Sequence, residues 1–303
     1  MAKRTLFIVN PAKLSTRLEQ LIVEQKNISN ELEVRQVPIE DISIIILESL
    51  QITVTTAAIN KLMENNVVVV SCNEKLIPNG LLIPIEGNTL LQERYRLQFA
   101  ASEPLKKKLW QQTVEAKIKN QAAVLDYLGI ENNKLRIMSN DVMSGDAGNI
   151  EGAAAAYYFD KIFTEFLIKF KRSREGDAPN NLLNYGYAIL RANVTREIVA
   201  AGLLPALGLH HRNKYNAYCL ADDIMEPFRP FVDVCVIDIL KGETNVSLLT
   251  KELKSQLIMV TSKDAIYKKE ICVLATAIDK VCSNLVKCYS GEVRKLIYPL
   301  LKL

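Results

Sequence analysis

The chain has 303 residues, 49% of them apolar and 24% charged, with a formal net charge of +4. This is an ordinary globular composition, long enough for one large or two medium domains with real cores. No run reaches the ~18 apolar residues that a membrane-spanning helix needs. The apolar run in the opening MAKRTLFIVNPAK is too short for a secretion signal. The sequence therefore predicts a cytoplasmic protein with no membrane partner. The six cysteines, none in a C-x-x-C pair, agree with a reducing compartment and give no sign of a zinc ribbon.

Taken from its start, the chain first reads as strands. Candidates are Thr5–Val9, Leu32–Val37, Ile44–Glu48, Val67–Ser71 and Leu81–Ile85, each short, rich in Val and Ile, and bounded by Pro, Asn or Gly. Asn79–Gly80 is a turn signal, and one short helix is expected over Thr55–Glu64. After Gly87 the pattern becomes helical. Helices are predicted near 89–101, 103–128, 148–171, 181–202, 216–226, 231–240 and 263–289. In 181–202, Leu183, Tyr187, Leu190, Val194 and Ile198 recur at helical spacing, and Gly202 supplies a stop. The expected fold class is α+β: a small N-terminal β-rich domain, residues 1–87, followed by a larger all-α catalytic domain, residues 88–303.

Charge follows the same division. Residues 1–85 hold 8 Lys/Arg against 9 Asp/Glu, whereas the remainder holds 30 against 25. The basic residues cluster at Arg94, Arg96, Lys106, Lys107, Lys108, Lys117 and Lys119, in KFKRSR at 169–174, and at Arg191, Arg196, Arg212 and Lys214. Any one such run is ordinarily a solvated helix face. Several confined to the helical part fit a surface that tracks phosphates, with salt-dependent binding of weak sequence preference.

The only histidines are His210 and His211, in GLHHRNKYNAYCLADDIMEPFRP. Asp223 and Glu226 follow, three apart on an expected helix and so on one face, with Asp222 turned about 100° away. Glu151 sits among small residues in NIEGAAAAYYF, an unnatural place for a merely solvated carboxylate. One imidazole with two or three carboxylates suits Mg²⁺ or Mn²⁺ better than zinc. Spacing alone also allows a surface histidine beside a solvated acidic face, and it identifies no reaction. Sequence motifs for nucleotide triphosphates, dinucleotides and serine hydrolases are absent.

GLHHRNKYNAYCLADDIMEPFRP, NIEGAAAAYYF and NYGYAILRANVTREIVAAGL together resemble the CRISPR spacer-acquisition integrase, the first-numbered Cas protein family, in the branch found in type II systems. The resemblance runs over essentially the whole chain, including KRTLFIVNPAKLS and the segment ENNVVVVSCNEKLIPNGLLIPIEGNTLLQERYRLQFAASEPLKKKLWQQTVEAKIKNQA. It implies a homodimer that acts on double-stranded DNA. The implied partners are a small second-numbered Cas protein bridging two dimers and the type II effector machinery. By motif position it implies metal ligands at Glu151, His211 and Glu226, with Asp223 as a further acidic residue of the site. His211 is then a ligand, a general acid–base, or both. The implied reaction joins the 3′-hydroxyl of a short duplex to a CRISPR repeat by transesterification, with Mg²⁺ or Mn²⁺ as cofactor. Lys106, Lys107, Lys108, Arg191 and Arg212 are the candidate DNA contacts. The alternatives from the residues are a structure-selective endonuclease acting on branched DNA and a non-catalytic DNA-binding scaffold.

Overall fold

The computed structural model describes residues 4–26, 30–74, 78–166, 170–173, 176–242 and 246–302. The chain forms two compact units, Met1–Thr89 and Leu90–Leu303.

The first unit contains β1 (Arg4–Ile8), β2 (Ala12–Arg17), β3 (Gln20–Lys26), β4 (Leu32–Pro38), β5 (Ile42–Leu47), β6 (Ile52–Val54), α1 (Thr56–Glu64), β7 (Val68–Cys72) and β8 (Pro78–Leu82). They make two four-stranded sheets, ordered β1-β5-β7-β8 and β4-β3-β2-β6. β5 reads ISIIIL and is buried at its first five positions, as expected of a central strand with parallel neighbours and both faces covered. Leu14, Leu21 and Val23 of one sheet and Ile42, Ile45 and Val69 of the other share a core with Ala58 and Leu62 of α1. The Thr55 side chain accepts the Ala58 N–H and so starts α1 where the sequence predicts it.

Two expectations fail here for local backbone reasons. Asn79–Gly80 is not a turn but lies within β8, where Gly80 pairs with Ser71, and that strand ends at Leu82 rather than Ile85. The real hairpin, β2 to β3, turns through Leu18 and Glu19, whose φ values are 49° and 58°. Tight hairpins want positive φ at both central residues and usually recruit Gly or Asn. Leu and Glu at those positions leave no sequence signal.

The second unit contains α2 (Leu91–Ala100), α3 (Glu103–Tyr127), α4 (Asn133–Asn140), α5 (Ile150–Lys161), α6 (Asn180–Ala200), α7 (Cys219–Met225), α8 (Arg229–Gly242), α9 (Lys251–Ile258), β9 (Asp264–Tyr267), β10 (Glu270–Val273), α10 (Leu274–Tyr289) and β11 (Leu300–Leu301). The five apolar residues that predict α6 are all buried. Its last turn closes on Gly202, in the left-handed region at φ 76°, with the Leu203 N–H bonded to the Ile198 carbonyl.

The helical unit is not all-α. The helix expected over 263–289 is instead the hairpin β9–β10 followed by α10, and β11 completes a sheet ordered β10-β9-β11. Lys268 and Lys269 make the turn with φ of 50° and 73°, again without Gly or Asn. The helix expected over 148–171 stops as α5 at Lys161 and is followed by a 3-10 turn, Thr164–Phe166. Lys169 and Arg174 of the KFKRSR run lie outside the described residues. No described helix is long and apolar enough to cross a membrane.

Candidate active site

Glu151 occupies the first turn of α5. The residue before that helix, Asn149, is in the left-handed region and makes no cap with its side chain. Asp146 takes over: its Oδ1 accepts the Ile150 N–H at 2.9 Å and its Oδ2 the Glu151 N–H at 3.1 Å. Two otherwise orphaned helix donors are thereby satisfied, and the backbone under Glu151 is fixed.

From there Glu151 reaches α3. Its Oε1 accepts from the ammonium of Lys117. Lys117 Nζ also stands 2.6 Å from Glu226 Oε2, while Arg229 Nη2 holds Glu226 Oε1 at 2.9 Å. Glu226 forms the start of a 3-10 turn, Glu226–Phe228, between α7 and α8. The Lys117 and Glu226 side chains are only 8% and 9% exposed. Burial alone pushes the Glu226 carboxyl up, but the charges of Arg229 and Lys117 outweigh it and hold Glu226 below the ordinary carboxylate range. Burial likewise opposes the Lys117 charge, and Glu226 and Glu151 reverse that and raise its pKa. Both groups are held ionised because each has its counter-charge.

The histidine loop is organised by Asp223, which is fully buried. Asp223 Oδ2 accepts the His210 N–H at 2.8 Å, and Oδ1 accepts the His211 N–H at 3.4 Å. His211 Nδ1 lies 2.5 Å from the same Oδ1. A carboxylate can only accept, so Nδ1 carries the proton and Nε2 is left with its lone pair or a second proton. The hydrogen bond to Asp223 raises the His211 pKa, burial works against it, and the charges of Asp223, Glu226 and Asp222 add to the rise. Gly208 makes this cradle possible: a Cβ there would stand 2.5 Å from the His211 carbonyl and 2.8 Å from Asp223 Oδ2. His210 stacks on buried Trp110 of α3, with ring centroids 4.5 Å apart and planes at 6°. His211 meets the same indole edge-on at 5.8 Å.

The sequence-predicted residues thus separate into distinct roles. Asp223 and Glu226 do not act as one acidic pair. Asp223 serves the histidine loop and Glu226 the Lys117–Arg229 pair. Asp222 turns away, as its spacing predicts, and accepts from Arg191 Nε and Asn216 Nδ2, each at 2.7 Å. Glu151 and Glu226 share Lys117, and His211 is near enough to Glu226 for its charge to lower that carboxyl. Among the described residues, no group of three or more His, Cys, Asp and Glu stands as a ready-made metal cage. The Lys117 ammonium, held by both glutamates, takes up the space between their carboxylates.

Of the candidate DNA contacts, Arg212 is paired with Glu103, as is Lys106 at 3.6 Å, and Arg191 is held by Asp222. Lys107 and Lys108 are exposed and make no ion pair among the described residues, although Lys108 Nζ donates to Gln111 at 3.0 Å. Lys117 does not belong to the basic surface on which its sequence neighbourhood puts it. Trp110, Val114, Ile118 and Gln121 line the same buried face of α3, so helical phase rather than charge count was the signal for its burial. Lys117, Arg229 and Asp146 are the residues of the site that the sequence reading missed.

Comparison with solved structures defines the class of fold. A casposase bound to integration product superposes with a TM-score of 0.81 over 98% of this chain and 92% of that one, at 21% identity. A Cas6-RT-Cas1–Cas2 complex gives a TM-score of 0.75 at 21% identity over 99% of this chain, which spans 36% of that longer one. At this identity the likeness establishes a shared fold.

Sequence carries the assignment further. Residues 6–266 match the family described as CRISPR associated protein Cas1, and the chain belongs to that family. The CRISPR-associated endonuclease Cas1 of Neisseria meningitidis serogroup C (strain 8013) is 38% identical over 286 residues, covering 94% of this chain and 91% of that protein.

Proposed function

We propose that this chain is a metal-dependent DNA integrase that joins the 3′-hydroxyl ends of short duplex DNA to a CRISPR repeat, as in spacer acquisition. The observation that carries the reading is the meeting of Glu151 and Glu226, 75 residues apart in sequence, at the Lys117 ammonium. Membership of the Cas1 family and the fold shared with a casposase bound to integration product support it.

The residues present fit a hard divalent cation. Glu226 Oε2 is buried and receives no aligned hydrogen bond, only the charge of Lys117. The His211 ring is fixed through Nδ1, leaving Nε2 available, the arrangement in which a carboxylate behind an imidazole sets its tautomer for metal binding. Glu151, Glu226 and His211 would hold Mg²⁺ or Mn²⁺. The ion would supply Lewis acidity at the scissile phosphate and favour ionisation of the attacking hydroxyl.

The chain's own groups do the rest. Asp223 and Trp110 orient His211, which can also move a proton at Nε2. Arg229 keeps Glu226 ionised. Lys107 and Lys108 offer charge to backbone phosphates. One phosphodiester replaces another, so the reaction consumes no nucleotide triphosphate. The fold shared with a Cas6-RT-Cas1–Cas2 complex supports a Cas2-type protein as partner; a homodimer is proposed on the sequence resemblance alone.

The decisive assay supplies linear duplex with free 3′-hydroxyls and a supercoiled repeat target, with and without the small partner, in Mg²⁺ or Mn²⁺. Glu151→Ala and His211→Ala should each nearly abolish joining while leaving DNA binding in place, since loss of a ligand removes on the order of several kcal/mol of charge stabilisation. Retained joining in either variant rejects the site. The name of the Neisseria relative favours a second reading, an endonuclease with water as nucleophile. Cleaved products without joined ones would establish that reading instead.

A further inference from the structure

Lys117 is a buried lysine at the centre of the site, and the proposed chemistry gives it no task. We propose that its ammonium is the resident counter-cation of the site. On this view ammonium and divalent ion are alternative occupants of the space between Glu151 and Glu226, and metal affinity is set by that exchange. The inference rests on the metal-dependent reading above and deepens it.

The contacts divide the site into a part that stays and a part that exchanges. Glu226 Oε1 is held by the Arg229 guanidinium, which also lies 4.9 Å from the centre of the Tyr187 ring. That planar group is pinned on two sides. Glu226 Oε2 stands 2.6 Å from Lys117 Nζ. Glu151 is likewise engaged by Lys117. One oxygen of each glutamate, Glu151 Oε1 and Glu226 Oε2, therefore meets the same ammonium. That ammonium sits on a flexible four-carbon stem able to withdraw, unlike the rigid guanidinium beside it.

Charge balance points the same way. Two carboxylates, one ammonium and one guanidinium sum to zero, so this set, with Lys117 and Glu226 buried and Glu151 and Arg229 partly exposed, is balanced as it stands. A divalent cation added to that set would face a positive charge at contact distance in a poorly solvated place, where Coulomb energies are large. Withdrawing the ammonium halves the resulting excess, from +2 to +1. Without Lys117, Glu226 and Glu151 would be left with one guanidinium, which contacts Glu226 alone, an unfavourable state for the buried Glu226 carboxylate. Lys117 thus keeps the two glutamates together before the metal arrives and tunes affinity downward. It is a positioning residue, and its role differs from that of a ligand.

The experiment is Mn²⁺ titration of the full chain without DNA, following free Mn²⁺ by electron paramagnetic resonance and heat by calorimetry. It compares the parent with Lys117→Met, Lys117→Gln and Glu226→Gln. The lysine variants are expected to bind Mn²⁺ at least tenfold more tightly than the parent. They should also unfold at a lower temperature when metal-free and gain more from added Mn²⁺. Lys117→Gln retains polarity and provides the reading should Lys117→Met fail to fold, and a variant that folds only with Mn²⁺ supports the exchange. Lysine variants that bind as the parent does, or more weakly, overturn the inference while leaving the metal site standing. A parent that does not bind Mn²⁺, or binds it undiminished by Glu226→Gln, overturns the metal-dependent reading itself.

Discussion

Asp223→Asn tests whether the buried carboxylate acts through His211. Both Asp223 oxygens accept: Oδ2 from the His210 N–H, and Oδ1 from the His211 N–H and the His211 ring. An asparagine has one accepting oxygen and one donating nitrogen, so either orientation sets a donor against a donor in a site with no exposure. The unsatisfied pair should cost about 1–3 kcal/mol of stability. With the amide nitrogen toward His211, Nδ1 must become an acceptor and the ring proton moves to Nε2, the atom that the proposal offers to a metal. Loss of such an orienting partner typically weakens metal affinity ~10–100-fold. Mn²⁺ titration and urea unfolding of the parent, Asp223→Asn, His211→Ala and the double variant give both quantities. Because Asp223 is argued to act through His211, the double variant should bind Mn²⁺ no more weakly than His211→Ala alone. Parental Mn²⁺ binding by Asp223→Asn, or additive losses in the double variant, would refute the reasoning.

Gly208→Ala places a Cβ 2.5 Å from a backbone carbonyl and 2.8 Å from Asp223 Oδ2. It should destabilise by about 1–3 kcal/mol in urea unfolding and weaken Mn²⁺ binding with it. Lys107→Glu with Lys108→Glu should weaken duplex binding and flatten its salt dependence, because these exposed lysines, unlike Lys106, make no ion pair among the described residues; an unchanged salt slope removes them from the proposed DNA contacts. Burial pushes the Asp233 carboxyl up to about 6 from 3.8, against hydrogen bonds from Tyr187 and Tyr158. The folded state then holds its proton more tightly than the unfolded chain, so stability from this residue falls as pH rises through that interval, to a cost of about 3 kcal/mol above it. A tyrosine hydroxyl, unlike the backbone N–H groups at Asp223, can turn to accept from an amide, so Asp233→Asn should stabilise the protein at pH 7–8 and do little near pH 4; an equal effect at both values refutes the assignment.

Much of the helical unit was legible because helical periodicity survives in it. Leu183 through Ile198 predict α6 and its buried face together. The two hairpins were not legible, because Leu18, Glu19, Lys268 and Lys269 occupy left-handed turns that the paired strands impose against local preference. The strand and turn expected around Asn79–Gly80 failed for the converse reason: a dipeptide suited to a turn is held in a ladder by pairing with β7. At the site, residue types were readable but partners were not. Lys117 looked like one more charge in a basic run. Its position among Trp110, Val114, Ile118 and Gln121 shows that helical phase should have been weighed before charge. Arg229, in the stretch EPFRP, carried no signal separable from any other surface arginine.

The three carboxylates Asp222, Asp223 and Glu226 lie within five residues yet hold an arginine, a histidine loop and a lysine–arginine pair respectively. Their own segment cannot enforce that division, since it is a short helix running into a 3-10 turn. The enforcing element is α3. Its Trp110 supports both imidazoles, its Lys117 gathers Glu226 and Glu151, and its Asn120, fully buried, donates to the Pro227 carbonyl at 2.8 Å directly behind Glu226. Asn120 also donates to the Pro299 carbonyl and accepts the Leu301 N–H, tying β11 to the same point. One continuous helix of 25 residues therefore fixes the imidazoles, the carboxylates and the backbone of the turn relative to one another. A site spread over four segments of the chain needs such a shared rigid reference, because side chains placed on separately mobile loops would not keep the fixed mutual spacing that a preorganised site depends on.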